Sequence, residues 1–322
     1  MALGLAKSTV ARALNGRGRV AKATRLRVQR LAKEMGYRPD PGLSMIALSR
    51  WKRSSSQSAW TLGMLWSRPL GDALRDRLKS RVNAMGCTLD YLHLPEFESA
   101  LSMARVMDAR GWRGVLIGPL PRPELARRLE IDWQRYSVLC CGFGRVRLPF
   151  DVVHFHHFAN VRMAWKRLQE NGARRIAPLL LRHDPMAEDD VAREAGVRFE
   201  LAQLPTQHRI PIKWIRSGEE PGLGDWVRAR GADAVLAFPQ TVARQLKREG
   251  IDIPGEVQIA TLQTSDHASC PGILCDQETL IAEAIELLAG KLRAGILGRP
   301  LEPKEMLIMG KWIEGEPQSQ SL

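Results

Sequence analysis

The sequence predicts an α/β protein in which a small all-helical head precedes a larger core of two parallel-sheet subdomains. From residue 60 onward, short apolar segments alternate with amphipathic stretches, the pattern of parallel strands covered by helices on both faces. The first 60 residues instead carry helical patterns and most of the chain's excess positive charge. With 322 residues, 44% of them hydrophobic, the chain is long enough for two or three domains.

The head is predicted from two segments near the N-terminus. The stretch KSTVARALNG, Lys7–Gly16, has the small and β-branched residues and the closing Asn-Gly that are typical of the second helix of a helix-turn-helix. Residues 22–36 repeat apolar residues at helical spacing, and the prolines at 39 and 41 prevent the helix from continuing. Only six residues precede Lys7, too few for a first helix, so we expect the head to be truncated and the native chain to start upstream.

Positive charge is concentrated in this head. Residues 1–60 contain thirteen lysines and arginines against two acidic residues, a net charge of +11 out of +13 for the whole chain. A compact basic module joined to a nearly neutral body is typical of a protein that binds the phosphate backbone of nucleic acid. The alternative, a basic face that only aids solubility, would not be confined to one end.

A hinge and linker are predicted to join the head to the core. Residues 42–53 form a short apolar helix candidate with a basic end, and Ser54–Ser58 is a flexible stretch. We therefore predict a head at 1–41, a hinge helix and linker at 42–59, and a core at 60–322. Within the core, we expect one subdomain from 60–158 plus 278–300 and the other from 159–277 plus 301–322.

The core is predicted to contain ten strands in two groups of five. The first group covers 61–66, 87–94, 114–120, 137–143 and 152–158. The second covers 175–181, 198–204, 234–238, 257–262 and 272–276. Helical stretches such as 161–170 and 242–249 lie between most of them, which predicts two doubly wound sheets rather than one.

No segment has the pattern of an assembled catalytic site, so we predict that the protein is not an enzyme. The sequence GFGR at 142–145 lacks a third glycine and is more typical of a plain turn than of a dinucleotide loop. The histidines of HFHH (His154, His156 and His157) have no carboxylate or cysteine nearby to complete a metal site. The acids at 188–190 are expected in a solvated loop or at a helix start.

Compartment and cofactors follow from similar arguments. Five scattered cysteines have neither zinc-ligand spacing nor a disulfide pattern, which fits a reducing cytoplasm. No apolar run reaches the length of roughly 18 residues needed for a membrane span, and no secretory signal precedes the head. We expect a cytoplasmic, nucleoid-associated protein with no cofactor, no metal and no membrane partner.

The order of these segments resembles the LacI/GalR family of bacterial transcription regulators over nearly the whole chain. Residues 7–41 are similar to the family's recognition helix, turn, third helix and hinge approach. Residues 230–238 and 246–262 are similar to its second subdomain, and 276–292 to its return helix. The Gly-Lys-Trp-x-Glu-Gly ending at 310–315 suggests an atypical branch. The resemblance implies a type I periplasmic-binding-protein-like core and a homodimer formed through it.

The resemblance also implies roles in DNA binding. Recognition helices of the dimer would enter the major groove of a pseudo-palindromic, double-stranded operator. The residues so implicated fall into three sets: Lys7, Ser8 and Arg12 read base edges; Thr9, Asn15, Lys22 and Arg25 contact the backbone; and Ile46 is the minor-groove wedge of the hinge. The family's usual wedge is leucine, and its usual helix caps are replaced by Ala6 and Ala21, the second forfeiting about 1 kcal/mol of capping.

A small-molecule effector is expected between the two subdomains, and a sugar or a related metabolite is one class that the resemblance allows. The candidate contacts are Trp66, Arg182, Gln263 and Asp276, each near the carboxyl end of a predicted strand. Gln263 stands where the family often has an aspartate, and HFHH replaces another aspartate-bearing stretch, so the effector's identity does not follow from the resemblance.

The leading hypothesis is an effector-controlled transcription regulator, most simply a repressor. The alternative is a small-molecule sensor that lost DNA binding with its first helix.

Overall fold

A computed structural model describes residues 5, 9, 10, 13, 21–34, 60–216, 220–264 and 270–315. The chain divides into two compact units, Met1–Ser58 and Ala59–Leu322, which are described separately. In the first unit, helix α1 spans Lys22–Glu34, and both Val28 of this helix and Ala13 are buried. The predicted third helix of the head is therefore present. Within the described parts of the chain, no helix combines the length and the apolarity that a membrane span requires.

The second unit is built on two six-stranded sheets with helices between the strands. The first sheet and its helices comprise β1 (Trp60–Trp66), α2 (Asp72–Ala84), β2 (Cys87–His93), α3 (Ala100–Ala109), β3 (Trp112–Ile117), β4 (Ser137–Cys141) and β5 (Val152–Phe155). The second comprises α4 (His157–Glu170), β6 (Ile176–Leu181), α5 (Glu188–Gln203), β7 (Lys213–Ile215), α6 (Leu223–Ala229), β8 (Ala234–Phe238), α7 (Thr241–Arg248), β9 (Gln258–Thr264) and β10 (Gly272–Leu274). The chain ends with α8 (Gln277–Ala294), β11 (Glu305–Ile308) and β12 (Lys311–Ile313). Short 3₁₀ turns occur at Leu94–Glu96, Pro123–Leu129, Trp133–Arg135 and Thr206–His208.

Strand order identifies both sheets as doubly wound. The first sheet runs β11-β5-β4-β3-β1-β2 and the second runs β12-β10-β9-β8-β6-β7. Every strand pair is parallel except β10 with β12. The central strands β4 and β8 are buried along their whole length, which explains why their sequences are continuous apolar runs. The predicted α/β class with two parallel sheets is confirmed.

The chain crosses between the sheets three times. The first crossing follows β5 and enters α4, the second follows β10 and enters α8, and the third joins β11 to β12. Helix α8 packs against β3, β4 and β5 of the first sheet. These three segments are the covalent connections between the two subdomains.

The predicted strand at 198–204 is wrong, because this segment is the end of helix α5. Its apolar residues alternate like those of a strand, yet Asp190, Arg193 and Val197 are buried at the three- and four-residue spacing of a helix face. The seventh strand along the chain is instead β7, and its three residues are too few to show the two-residue alternation that is typical of a strand. The other nine predicted strands are present, several with shifted ends.

The C-terminal segment also differs from its predicted place. Residues 301–322 were expected with the second subdomain, but β11 pairs with β5 of the first sheet and only β12 joins the second. Asp151 anchors this edge, because its carboxylate accepts hydrogen bonds from Lys304 N at 2.9 Å and from Lys291 Nζ at 2.5 Å. Three of the four residues of β11 are exposed, so the segment lacks the apolar pattern of an interior strand.

Candidate effector cleft

A cavity of about 520 Å³ lies between the two subdomains of the core. It opens where parallel strands of both sheets end, the position at which open α/β sheets bind small molecules. Trp66 reaches it from the end of β1 and Phe143 from the loop after β4. From the second subdomain, His183 follows β6 and Phe238 ends β8. One cavity therefore collects side chains from at least four strand ends.

The first subdomain contributes a mostly apolar wall. Trp66 is 3% exposed and lies among Pro69, Leu70 and Pro119, which also line the cavity. Gly118 makes room for the indole, because a Cβ at this position would be 2.5 Å from Trp66 Cδ2. The Trp66 ring is thus held by close packing against the backbone.

The GFGR segment forms the edge of this wall. It is an irregular loop with bends at Gly142 and Arg145, and it places Phe143, Gly144 and Arg145 at the cavity. Gly144 lies so close to Leu120 that a Cβ would be 2.3 Å from Leu120 N, and Arg145 N donates to Leu120 O at 2.8 Å. Arg145 Nη1 also donates to Asp184 O of the opposite subdomain at 2.8 Å. This bond directly joins the two sides of the cleft.

A buried carboxylate organises the polar wall of the second subdomain. The side chain of Asp190 has no exposed surface and accepts from His183 N at 3.1 Å and from His183 Nδ1 at 2.9 Å. It also accepts from Ala187 N at 3.2 Å and from Arg193 Nη1 at 3.4 Å. Asp190 thereby fixes the loop after β6 and orients the His183 ring at the cavity. Residues 188–190 start helix α5, which was one of the two alternatives expected, but Asp190 is not solvated, because its side chain faces inward.

Asp189, His157 and Arg193 form a second polar group beside it. His157 Nε2 is 3.3 Å from Asp189 Oδ1 and 3.3 Å from Arg193 Nη2. The guanidinium of Arg193 lies over the Phe238 ring, 3.8 Å from its centroid. Arg193 lines the cavity although it is 5% exposed, and the side chain of Asp189 is 25% exposed there.

Burial and charge set the ionisation of this group. Burial lowers the pKa of His157, and the nearby Arg193 charge lowers it further, so the imidazole is neutral at pH 7. Burial would raise the pKa of Asp189, but its contact with His157 and the charge of Arg193 outweigh this and lower the pKa. Asp189 is therefore ionised and Arg193 is its counterion.

The four effector contacts expected from the sequence separate into two pairs. Trp66 and Gln263 both line the cavity. Arg182 does not, because its guanidinium lies over the Trp214 ring at 5.6 Å and its backbone N donates to Ile215 O. Asp276 caps α8, where its carboxylate accepts from Glu278 N at 3.1 Å and Thr279 N at 3.0 Å. The residue after each of these two, His183 and Gln277, faces the cavity instead.

Sequence reasoning missed the residues that dominate the polar wall: His183, Asp189 and Arg193. Asp189 and Arg193 are four residues apart on one helix, a spacing that brings side chains together. The signal is present in the sequence, but a strand predicted at 198–204 divides this helix and conceals its inward face.

The residues expected to contact DNA fall mostly outside the described part of the chain. This applies to Lys7, Ser8, Arg12, Asn15 and Ile46. Thr9 is helical and half-buried, and Arg25 is a half-buried residue of α1. Lys22 begins α1, and its side chain is not described.

One family model matches the head of the chain. Residues 2–40 match the family model of bacterial regulatory proteins of the lacI family. No curated protein matches the chain significantly.

Several solved structures resemble the chain over 80% to 97% of its length. The lac repressor bound to ONPG in its repressed state is similar with a TM-score of 0.60 and 17% identity, covering 97% of this chain and 95% of that one. The transcriptional regulator CelR in complex with cellobiose is similar with a TM-score of 0.56 and 20% identity, covering 96% and 95%. A periplasmic binding protein/LacI regulator from Alkaliphilus metalliredigens, in complex with D-xylulofuranose, has a TM-score of 0.55 and 17% identity, covering 80% and 98%. These likenesses confirm the periplasmic-binding-protein-like fold of the core.

Proposed function

We propose that this chain, whose residues 2–40 belong to the lacI family of bacterial regulatory proteins, is a DNA-binding transcription regulator controlled by a small molecule. One observation carries the proposal: a lacI-type segment precedes a two-sheet core that holds a cavity of about 520 Å³ between its subdomains. A DNA-binding segment and a ligand-sized cavity in one chain are the two sites that allosteric control requires. The protein is not an enzyme under this proposal.

The domain assignment follows the sequence. Residues 1–41 are the DNA-binding head, 42–59 are the hinge helix and linker, and the core begins at 60. In the head, Lys7, Ser8 and Arg12 read base edges, while Thr9, Asn15, Lys22 and Arg25 contact the backbone. Ile46 enters the minor groove from the hinge.

The proposed function also implies two macromolecular partners, operator DNA and a second copy of this chain. Double-stranded operator DNA is the first partner, and the regulator acts as a homodimer through its core, most simply as a repressor. Support comes from a similar structure described as the lac repressor dimer bound to operator and the anti-inducer ONPF. Cellobiose and D-xylulofuranose, bound by two of the similar proteins, are small enough to fit a cavity of this size. The protein acts in the cytoplasm, at the nucleoid.

Control by the effector requires that the ligand bind one arrangement of the subdomains better than another. The cavity walls come from different subdomains, so any change in their separation changes the contacts that a ligand can make. The bond from Arg145 Nη1 to Asp184 O exists only while the walls are close. A ligand that touches both walls would favour the closed arrangement, and the three backbone crossings would transmit the change to the hinge.

The proposal is tested by DNA binding of the natural full-length protein. Fluorescence anisotropy should detect binding to the DNA upstream of its own gene, with an affinity that falls steeply between about 0.05 and 0.2 M salt. Arg12→Gln should cost about 1–3 kcal/mol on the specific sequence and less on random DNA. Arg105→Gln, a change at an exposed residue of α3, is the matched control. Equal affinity for upstream and random DNA would contradict the proposal.

A further inference from the structure

Positive charges outnumber negative charges among the described residues that line the effector cleft. Among the described residues that line it, three are arginines, Arg68, Arg145 and Arg193, and one, Asp189, has a carboxylate. Arg193 already has carboxylate partners, because Asp190 Oδ1 is 3.4 Å from its Nη1 and the Asp189 charge acts on it. Among these described lining residues, no acidic side chain is left to neutralise Arg68 and Arg145.

Neither of these two arginines is neutralised elsewhere in the described part of the chain. Within it, Arg68 and Arg145 take part in no ion pair. Arg145 gives one Nη1 hydrogen bond to the carbonyl of Asp184 and keeps its remaining N–H groups. The hydrogen bond at Arg68 involves its carbonyl, which accepts from Tyr91 Oη at 3.1 Å. Both guanidinium groups therefore have donors to offer a ligand.

The two arginines stand beside the apolar wall. Arg68 is two residues after Trp66, and Arg145 is two residues after Phe143, and all four line the same cavity. Leu70 adds further apolar surface to this side. A ligand seated here meets cationic donors and aromatic or aliphatic surface together.

Acceptors for a neutral polyhydroxyl ligand lie mostly outside the apolar wall. Among the described lining side chains they are the carboxylate of Asp189, the amides of Gln263 and Gln277, the ring of His183 and the hydroxyl of Ser67, and only Ser67 lies on the apolar wall. Guanidinium groups instead match the planar oxygens of carboxylates and phosphates, to which they donate two parallel hydrogen bonds.

We propose that the effector is an organic anion whose carboxylate or phosphate group binds Arg68 and Arg145 while its apolar body packs against Trp66 and Phe143. This inference rests on the proposed function, because it names the ligand class of the same cleft. Because Arg145 also donates to Asp184 O of the second subdomain, an anion bound to Arg145 lies next to the contact between the two walls.

Calorimetric titration of the full-length protein with four probes tests the ligand class. Benzoate and phenyl phosphate carry an anionic group on an aromatic ring, benzyl alcohol is their neutral counterpart, and cellobiose is a neutral sugar. At least one anion should bind about tenfold or more tightly than benzyl alcohol and cellobiose. The ratio of benzoate to phenyl phosphate affinity distinguishes a carboxylate from a phosphate. Binding of neither anion, or of a neutral probe as tightly as the better anion, would overturn the proposal.

Variants at Arg68 and Arg145 test whether these two residues bind the anion. Arg68→Gln with Arg145→Gln should weaken the anion by about tenfold or more and leave benzyl alcohol unchanged. The matched control is Arg105→Gln with Arg113→Gln, two exposed arginines of the same subdomain outside the cavity wall. Unchanged anion affinity in the first double variant would assign the anion to another site and overturn the proposal. All four arginines are exposed, so the control variant should keep the unfolding midpoint of the parent. The first double variant also loses the exposed bond from Arg145 to Asp184 O and should lower the midpoint by no more than about 4 °C.

The experiments distinguish an incorrect ligand class from an incorrect proposed function. A protein that binds its upstream DNA selectively but prefers the neutral probes remains a regulator with a different effector class. A protein that binds the anions but does not distinguish DNA sequences is a sensor, and it contradicts the proposed function instead.

Discussion

His183 Nδ1 lies 2.9 Å from Oδ2 of Asp190, a carboxylate that is completely buried beneath the effector cleft. The same carboxylate accepts from two backbone N–H groups, His183 N and Ala187 N, and contacts Arg193. One side chain therefore links the loop after β6, the start of α5 and the buried arginine of the cavity wall.

Asp190→Asn should destabilise the core. The amide keeps the shape of the carboxylate but leaves Arg193 with one fewer counterion in a buried site, which costs about 3 kcal/mol. Urea unfolding measures this loss. Glu170→Gln is the control, because Glu170 forms exposed pairs with Lys166 and Arg167 and its removal should cost no more than about 0.5 kcal/mol. Equal effects of the two substitutions would contradict the role given to Asp190.

Gly118→Ala should displace the Trp66 ring. The added Cβ would be 2.5 Å from Trp66 Cδ2, so the indole or the backbone must move, at a cost of about 1–3 kcal/mol in unfolding free energy. Gly71→Ala is a matched control at the same cavity, since no atom lies within 4 Å of the place its added methyl group would occupy and its φ of −59° suits alanine. It should cost less than about 1 kcal/mol. A neutral Gly118→Ala would mean that the ring is not held as described.

Asp151→Asn should reduce stability at neutral pH but not in acid. Burial would raise the pKa of Asp151, but the hydrogen bonds from Lys291 and from Lys304 N, together with the positive charges of both lysines, outweigh burial and lower the pKa. A carboxyl whose pKa is lowered in the folded state contributes stability above its unfolded value of about 4, and this contribution is lost as pH falls through the folded pKa. The difference in unfolding free energy between parent and variant should therefore shrink below about pH 4.

The matching control is Asp76→Asn, at an exposed carboxyl of α2. Its difference from the parent should be small at every pH between about 3 and 7. A difference for Asp151→Asn that stayed constant over this range would contradict an ionised pair with Lys291.

The thiols should react slowly while the protein is folded. Cys87, Cys140, Cys141 and Cys270 are buried, and burial raises the pKa of Cys140 to about 12 and that of the half-buried Cys275 to about 11. When the folded protein is mixed with Ellman's reagent at about pH 8, fewer than about one thiol per chain should react as fast as an exposed cysteine does. All five cysteines should react after unfolding. An Arg122→Cys variant supplies the exposed reference, and rapid release of two equivalents from the parent would contradict this burial.

The sequence predicted the core well where strands are apolar along their length. Strands β4 and β8 are buried at every residue, so hydrophobicity alone identifies them. Strand β11 could not be found this way, because it lies at a sheet edge and pairs with β5 while most of its side chains face solvent.

The site was predicted less completely than the fold. Trp66 and Gln263 were found because strand ends locate the cleft, but a strand end does not say which of two successive residues faces inward. Arg182 and Asp276 were chosen where His183 and Gln277 line the cavity. Asp190 and Arg193 were missed because the strand predicted at 198–204 divided their helix, so its inward face was not recognised.

The central claim is that an effector-sized cleft and a DNA-binding head act in one protein. The most direct measurement incubates the natural full-length protein with sheared DNA of its own genome, recovers the bound fragments at about 0.05 and 0.2 M salt, and sequences them. The account predicts enriched fragments that share a two-fold symmetric motif, with less DNA recovered at the higher salt. Fragments with no common motif at either salt would contradict it.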